Sequence, residues 1–208
     1  MPSVKKSYRL WSNIYDTNEN KTRDLDLIVS KKILSKLSFQ TVLEVGCGTG
    51  KNTSWICKRS EKVIAVDFSP EMLEIARNKI KNTNVIFKEA DITKSWEFVE
   101  QKVDLITINL VLEHIKDLAF IFKSANAKLK QGSFLFISEL HPFKQFLGSQ
   151  AKFDNELVIS YPHQISEYFK IACENNFTCK ELIESFDEDP KKNEENIPRL
   201  VSFLFVKN

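Results

Sequence analysis

The chain has 208 residues, a formal net charge of +2, 42% hydrophobic residues and only five glycines. A chain of this length buries roughly 70% of the surface that it exposes when unfolded, so it needs neither disulfides nor a structural metal. Its longest apolar runs have four or five residues, far fewer than the ~20 of a transmembrane helix. The N-terminal sequence contains no apolar signal region, and the near-neutral charge argues against nucleic acid as a ligand. We therefore expect a cytoplasmic protein that acts neither at a membrane nor on duplex nucleic acid.

The first segment, residues 1–36, is predicted to form a helical cap. Its aromatic residues Tyr8, Trp11 and Tyr15 are three and four positions apart, which places them on one helix face. From residue 37 to residue 208, β-branched runs alternate with amphipathic stretches, as in βαβ units of one α/β domain. The predicted strands are 41–45, 62–67, 84–89, 103–109, 133–140, 178–186 and 200–207. The predicted helices are 50–59, 70–81, 96–101, 118–130 and 165–176, and the two long loops are 141–160 and 187–198.

Three of the five glycines lie in a short loop after the first predicted strand, at Gly46, Gly48 and Gly50. Glycines at the junction of a strand and a helix allow a ligand to approach bare backbone. The Walker pattern is excluded because Lys51 is followed by Asn52, and the GxGxxG dinucleotide pattern is excluded because Lys51 occupies its last glycine position. The remaining pattern, GxGxG, predicts a nucleoside ligand of another kind.

Acidic residues follow the neighbouring strands. Asp67 ends the second predicted strand, Asp91 follows the third, and Glu44 lies in the first. Because parallel strands present their carboxyl ends to one crevice, the three acids are expected to line a single site. A carboxylate at the position of Asp67 can accept hydrogen bonds from both hydroxyls of a ribose, although a helix-capping role is the structural alternative.

The motifs VLEVGCGTG at 42–50, VDFSPEML at 66–73 and ADI at 90–92 occur in this order. With the segments that continue to about residue 140, they resemble the S-adenosylmethionine-dependent methyltransferases of the seven-stranded, Rossmann-like class. The resemblance implies a doubly wound, mostly parallel sheet whose last strand is antiparallel, with helices on both faces. It also implies S-adenosyl-L-methionine as the cofactor.

The resemblance further implies a role for individual residues. The glycines would approach the methionine part of the cofactor, Asp67 would bind the ribose, and Asp91 would bind the adenine amine. The complete set of cofactor-binding residues that it implies is Tyr8, Tyr15, Glu44, Gly46, Cys47, Gly48, Gly50, Asp67, Phe68, Met72, Asp91, Ile92, Asn109 and Leu110.

Methyl transfer from a sulfonium is an in-line displacement, so the protein chiefly aligns the reactants, excludes water and removes a proton where necessary. His141 directly follows the fifth predicted strand and is the candidate general base, with substrate contact and a structural hydrogen bond as alternatives. Trp11, His114, His141 and His163 are the candidate substrate-binding residues. The four cysteines form no CxxC pair, so no metal site is predicted.

The leading functional prediction is methyl transfer to an oxygen or nitrogen of a small-molecule metabolite. The fold alone does not fix the substrate. A methyltransferase for tRNA or protein and a cofactor-binding protein without catalysis remain as alternatives. The sequence leaves open whether the protein is a monomer or a homodimer.

Overall fold

The computed structural model describes residues 19–149, 152–153, 156–187 and 197–208. Tyr8, Trp11 and Tyr15 of the predicted cap lie outside these ranges. The strands are β1 (Thr41–Val45), β2 (Lys62–Asp67), β3 (Val85–Glu89), β4 (Val103–Asn109), β5 (Leu129–Leu140), β6 (Lys152–Phe153), β7 (Glu156–Leu157), β8 (Phe177–Ser185) and β9 (Leu200–Lys207). The helices are α1 (Lys21–Leu34), α2 (Thr53–Ile56), α3 (Pro70–Lys79), α4 (Leu118–Lys128), α5 (Pro142–Phe146) and α6 (Ile165–Glu174).

Seven of the strands form one sheet in the order β3-β2-β1-β4-β5-β9-β8, and β6 pairs with β7 in a separate two-stranded sheet. Strands β1 to β5 are parallel, whereas β9 runs antiparallel to both β5 and β8. The predicted fold class is confirmed, including the antiparallel last strand. Strands β1, β2, β4 and β9 begin and end at the predicted residues.

The central strands of the sheet are buried on both faces, because helices pack on each side. In β2, Val63 and Ala65 pack into one core cluster with α1 residues, whereas Ile64 and Val66 pack into the other, with residues of α4 and α6. Since neighbouring side chains of a strand point to opposite faces, a strand covered on both sides is apolar throughout. Among the described residues, no helix combines the length and hydropathy needed to cross a membrane.

The helix predicted at 96–101 is wrong. Residues 96–101 form turns, with the Trp96 indole nitrogen donating to the Ile92 carbonyl oxygen at 2.9 Å and the ring buried in the core. The apolar residues at Trp96 and Val99 therefore anchor a loop to the core, a pattern that short amphipathic helices share.

Several element boundaries also differ from the prediction. The helix predicted at 50–59 is restricted to α2, because Gly50 has a φ of +83° and cannot belong to a right-handed helix. The helix predicted to reach residue 130 ends at Lys128, and β5 begins at once. Its first residue opposes Val103, and the pairing then shifts so that Leu105 opposes Phe134. The predicted loop 141–160 contains α5 and the β6–β7 pair.

Candidate cofactor and substrate site

The loop after β1 is fixed to the neighbouring strand by its backbone. The amides of Gly46 and Cys47 both donate to the Val66 carbonyl oxygen, at 2.8 and 3.0 Å. Gly46 has a φ of +70°, and a Cβ there would lie 2.2 Å from Cγ2 of Val111. Glycine is thus required at this position by both backbone conformation and close packing.

The other two glycines of the loop have different surroundings. A Cβ on Gly50 would lie 2.6 Å from Cδ1 of Ile80, whereas a Cβ on Gly48 would meet no atom within 4 Å. Gly48 lines a cavity and Gly50 does not. The predicted cofactor contact of Gly50 is therefore unsupported by its position, since this glycine serves the packing of the loop against the end of α3.

A cavity of about 610 Å³ opens at the carboxyl ends of β1 to β4. Its volume lies within the usual range of small-molecule sites, about 300–1,000 Å³. The cavity contains most of the described residues that the sequence predicts around a cofactor. The lining residues are Gly46, Gly48, Asp67, Phe68, Met72, Glu89, Ala90, Asp91, Ile92, Thr93, Lys94, Asn109, Leu110, Val111, His114 and Ile115.

Asp67 joins the glycine loop to the start of α3. Its Oδ2 accepts from the Gly48 amide and its Oδ1 from the Ser69 amide, both at 2.9 Å. Helix α3 is capped by the Ser69 hydroxyl, which accepts from the Met72 amide at 3.3 Å, so Asp67 is not its capping residue. The Phe68 amide also donates to the Asp67 carboxylate, so one of its about four acceptor positions remains for a further donor. Burial raises the pKa of Asp67 to about 6.

Asp91 follows β3, lines the cavity and is partly exposed. Its Oδ1 accepts from the amide and the hydroxyl of Thr93, at 3.1 and 2.6 Å. Although partial burial raises the pKa of Asp91, the hydrogen bonds from Thr93 and the nearby Lys94 ammonium outweigh that effect and lower it overall. The apolar side chains of Phe68, Met72 and Ile92 line the same cavity.

A second, smaller cavity of about 50 Å³ lies beside the glycine loop and is lined in part by Asp26, Glu44 and Asn52. The Asp26 carboxylate, from α1, accepts from the side-chain amides of Asn109 and Asn52 at 2.8 and 3.2 Å. Glu44 accepts from the Thr53 hydroxyl at 2.6 Å. Burial raises the pKa of both acids, that of Glu44 to about 8.

Sequence reasoning missed Asp26. The only signal was a polar pair four residues apart, Asp26 and Ser30, on a helix that also buries Val29 and Ile33. Polar residues at helical spacing among buried ones mark a site where α1 faces polar groups instead of the core. Cys47 is also buried near this cavity, and burial raises the pKa of its thiol well above the usual range, so the thiol remains protonated.

The three histidines occupy different places, and His114 alone among them lines the large cavity. Its Nδ1 lies 2.8 Å from the Ile159 carbonyl oxygen. Because a carbonyl only accepts, Nδ1 donates, and Nε2 carries the lone pair in the neutral ring. Nε2 lies 3.9 Å from Oε1 of Glu113, whose side chain is also buried.

His141 and His163 are not among the residues that line the cavity. His141 is the N-cap of α5: its Nδ1 accepts from the Phe143 amide at 3.2 Å, while Nε2 lies 2.9 Å from Oε1 of Glu184. His163 donates from Nε2 to the Ile115 carbonyl oxygen at 2.7 Å, and its Nδ1 faces the Glu167 carboxylate at 3.1 Å. Both rings are held by structural hydrogen bonds, so the geometry does not favour His141 as the general base.

Comparisons with known proteins agree with this geometry. Residues 43–137 match the model of a family described as a methyltransferase domain. The chain is 28% identical over 200 residues to the malonyl-[acyl-carrier protein] O-methyltransferase of Acetivibrio thermocellus, a match that covers 91% of this chain and 66% of that protein. It is 32% identical over 111 residues to the ubiquinone biosynthesis O-methyltransferase of Histophilus somni, covering 50% of this chain and 47% of that protein. The chain thus spans less than two thirds of the length of these curated relatives.

Among solved structures, the fold is similar to that of the N-methyltransferase NodS from Bradyrhizobium japonicum in complex with S-adenosyl-L-homocysteine. The TM-score is 0.75 at 16% sequence identity, and the alignment covers 99% of both chains. This likeness concerns the fold. The matched domain model, the strand order and the glycine loop together make the chain similar to S-adenosylmethionine-dependent methyltransferases with a seven-stranded, Rossmann-like fold.

Proposed function

We propose that this protein binds S-adenosyl-L-methionine in the 610 Å³ cavity and transfers its methyl group to an oxygen or nitrogen of a small molecule. The observation that carries the proposal is the placement of Asp67. Its carboxylate lines the cavity and holds the glycine loop and the start of α3 by accepting from the backbone amides of Gly48, Phe68 and Ser69. A carboxylate at the end of this strand, beside the glycine loop, can accept from a ribose hydroxyl at the acceptor position that remains.

The rest of the cavity fits the other parts of the cofactor. Phe68, Met72 and Ile92 offer an apolar surface for adenine, and Asp91 offers a carboxylate for its exocyclic amine. Gly48 lines the cavity without a side chain, so a ligand there can approach the backbone. The methionine part then extends toward the β4 end of the cavity, where Asn109 and Leu110 form the wall.

When bound, S-adenosyl-L-methionine supplies an activated methyl group and a good leaving group. The residues of the chain hold the two reactants in line and exclude water, which together account for much of the rate enhancement in such reactions. The backbone of the glycine loop is held by Val66 and Asp67, so the position of the methyl donor is fixed before the acceptor binds.

A small acceptor is favoured by the size of the cavity and by the names of the relatives. Those names describe an O-methyltransferase of malonyl-[acyl-carrier protein] and one of ubiquinone biosynthesis. A monomeric or homodimeric state and a cytoplasmic location remain predictions from the sequence.

The proposal is tested with methyl-labelled S-adenosylmethionine and a panel of phenols, amines and carboxylic acids, with total tRNA and a protein mixture as macromolecular acceptors. We expect label in a small hydroxyl or amino compound and release of S-adenosylhomocysteine. Label only in tRNA or protein contradicts the small-molecule acceptor. Absence of both cofactor binding and methyl transfer contradicts the proposed function.

A further inference from the structure

We infer that His114 is the proton acceptor of the reaction, and that the acceptor molecule is a neutral hydroxyl compound, such as a phenol or enol, that loses its proton on methylation. This inference rests on the proposed function. It assigns the role of base to a residue other than the one that follows β5.

The orientation of the His114 ring is fixed by one hydrogen bond. Because Nδ1 donates to the Ile159 carbonyl oxygen at 2.8 Å, the lone pair of the neutral ring is on Nε2. His114 lines the same cavity as Gly46, Gly48 and Val111. Since Val111 packs directly over Gly46, the turn that carries His114 lies beside the part of the glycine loop assigned to the methionine end of the cofactor.

The turn that carries His114 is held from one side by residues 159–163, which we call the strap. Three consecutive residues of the turn bond to it: the Glu113 carbonyl oxygen accepts from the Tyr161 amide at 2.7 Å, His114 donates to Ile159, and the Ile115 carbonyl oxygen accepts from His163. A loop fixed at three successive positions has little freedom to rotate, so the ring of His114 is positioned before any ligand binds.

From the other side, the same turn is held by Glu139 of β5. Its Oε1 accepts from the amides of Val111 and Leu112, at 3.0 and 2.8 Å. Just before them, Leu110 has a φ of +55°, and its amide donates to the Ser138 carbonyl oxygen at 2.8 Å. A left-handed conformation is costly for leucine and persists only where the surroundings enforce it, which is typical of functional sites.

The chemistry then balances without another reactant. The hydroxyl oxygen of the acceptor attacks the methyl carbon, the carbon–sulfur bond breaks, and its electron pair stays on sulfur, giving S-adenosylhomocysteine. The hydroxyl proton moves to Nε2 of His114. The Glu113 carboxylate, whose Oε1 lies 3.9 Å from Nε2, stabilises the resulting imidazolium by its opposite charge.

The same carboxylate argues against an anionic acceptor. Glu113 is buried beside His114, so a substrate carboxylate at this end of the cavity would meet a like charge at low dielectric. Such a substrate would also have no proton to give up at neutral pH.

The first test requires no acceptor. We expect nitrogen-15 NMR of the whole protein to show the neutral form of His114 with hydrogen on Nδ1, both alone and with S-adenosylhomocysteine bound. A ring with hydrogen on Nε2 in the complex would overturn the inference, because that nitrogen could not accept a proton.

The second test is kinetic. In His114→Asn the side-chain amide keeps a donor for Ile159 and lacks Nε2. With the hydroxyl acceptor found in the panel, kcat should fall by about 10²- to 10⁴-fold, the usual size of acid–base assistance, with unchanged affinity for S-adenosylhomocysteine by calorimetry. His141→Asn, measured alongside, removes the other candidate base.

The outcomes separate the inference from the proposed function. If His114→Asn retains full kcat while S-adenosylhomocysteine still binds, the role of base is wrong although the function stands. A large loss of kcat that occurs only in His141→Asn would show that His141, and not His114, is the general base. A panel in which no hydroxyl compound is methylated overturns the acceptor class. If the wild-type protein does not bind S-adenosylhomocysteine, the proposed function itself is contradicted.

Discussion

Two aspartates of this protein accept hydrogen bonds from backbone amides, yet they lie at opposite edges of the sheet. Asp67 ends β2 at the cavity, whereas Asp104, near the start of β4, accepts from the amides of Thr41 and Gln40 at 2.8 and 3.1 Å. Asp67→Asn should weaken S-adenosylhomocysteine binding by roughly 1.5–3 kcal/mol, the range for hydrogen bonds to charged groups. Asp104→Asn should lower stability without changing affinity. Isothermal calorimetry measures the affinity of both variants for S-adenosylhomocysteine. Equal affinities in the two variants would show that Asp67 only stabilises the glycine loop.

Cofactor binding should also depend on pH through Asp67. Its pKa is about 6 because of burial, so the carboxylate that accepts ribose hydroxyls is lost as pH falls through 6. Protonation replaces an acceptor position with a donor. We therefore expect the Kd of S-adenosylhomocysteine to rise between pH 7.5 and pH 5, and this dependence to be weaker in Asp67→Asn. A flat profile in the wild type would argue against direct contact.

The glycine loop allows a matched pair of substitutions. Both Gly48 and Gly50 have positive φ, at +53° and +83°, so alanine costs about 1–2 kcal/mol in backbone strain at either position. Gly50→Ala adds a clash with Ile80 and should be the more destabilising by thermal unfolding, with cofactor affinity kept in the folded fraction. Gly48→Ala meets no protein atom but adds a methyl group where the ligand approaches, so it should lose affinity. The reverse pattern would contradict the placement of the cofactor.

At the scale of elements, the strands and the acids that follow them were predictable because the signal is local. A strand buried on both faces is a continuous apolar run, as in β2, and the residue after it lies at the carboxyl edge. Asp67 and Asp91 follow from that rule alone. Local patterns failed where long-range contacts decide the structure. Trp96 anchors a turn through Ile92, although its spacing suits a helix.

The histidines show the same limit of local sequence patterns. Because His141 directly follows β5, the sequence favours it as the general base, but the ring of His141 caps α5 and faces Glu184. The ring of His114 is oriented by a hydrogen bond to the carbonyl oxygen of Ile159, 45 positions away. No local sequence pattern predicts that contact. Asp26 likewise accepts a hydrogen bond from Asn109, 83 positions away. This polar contact beside the site therefore depends on the packing of α1.

For the whole molecule, the buried acids predict an unusual dependence of stability on pH. Burial raises the pKa of Glu44 and of Glu139 from 4.5 to about 8. Between these values the folded state binds protons that the unfolded state releases, so the free energy of unfolding falls as pH rises from 5 to 8. Each pKa unit of such a shift corresponds to about 1.4 kcal/mol.

Glu139→Gln, which resembles the protonated side chain, should flatten this slope. Urea unfolding at pH 5.5 and pH 8.5 compares it with Glu74→Gln, a substitution of an exposed residue on α3. A wild-type protein that gains stability toward pH 8.5, or a Glu139→Gln slope equal to that of Glu74→Gln, would show that Glu139 is ionised in the folded state.

The cavity above the glycine loop is proposed to bind S-adenosylmethionine and not another nucleotide. Calorimetric titration of the wild-type protein with S-adenosylhomocysteine, NAD and ATP distinguishes these ligands. We predict saturable binding of S-adenosylhomocysteine near micromolar Kd, about 8 kcal/mol, and no saturable heat with NAD or ATP. Binding of NAD without any response to S-adenosylhomocysteine would contradict the account.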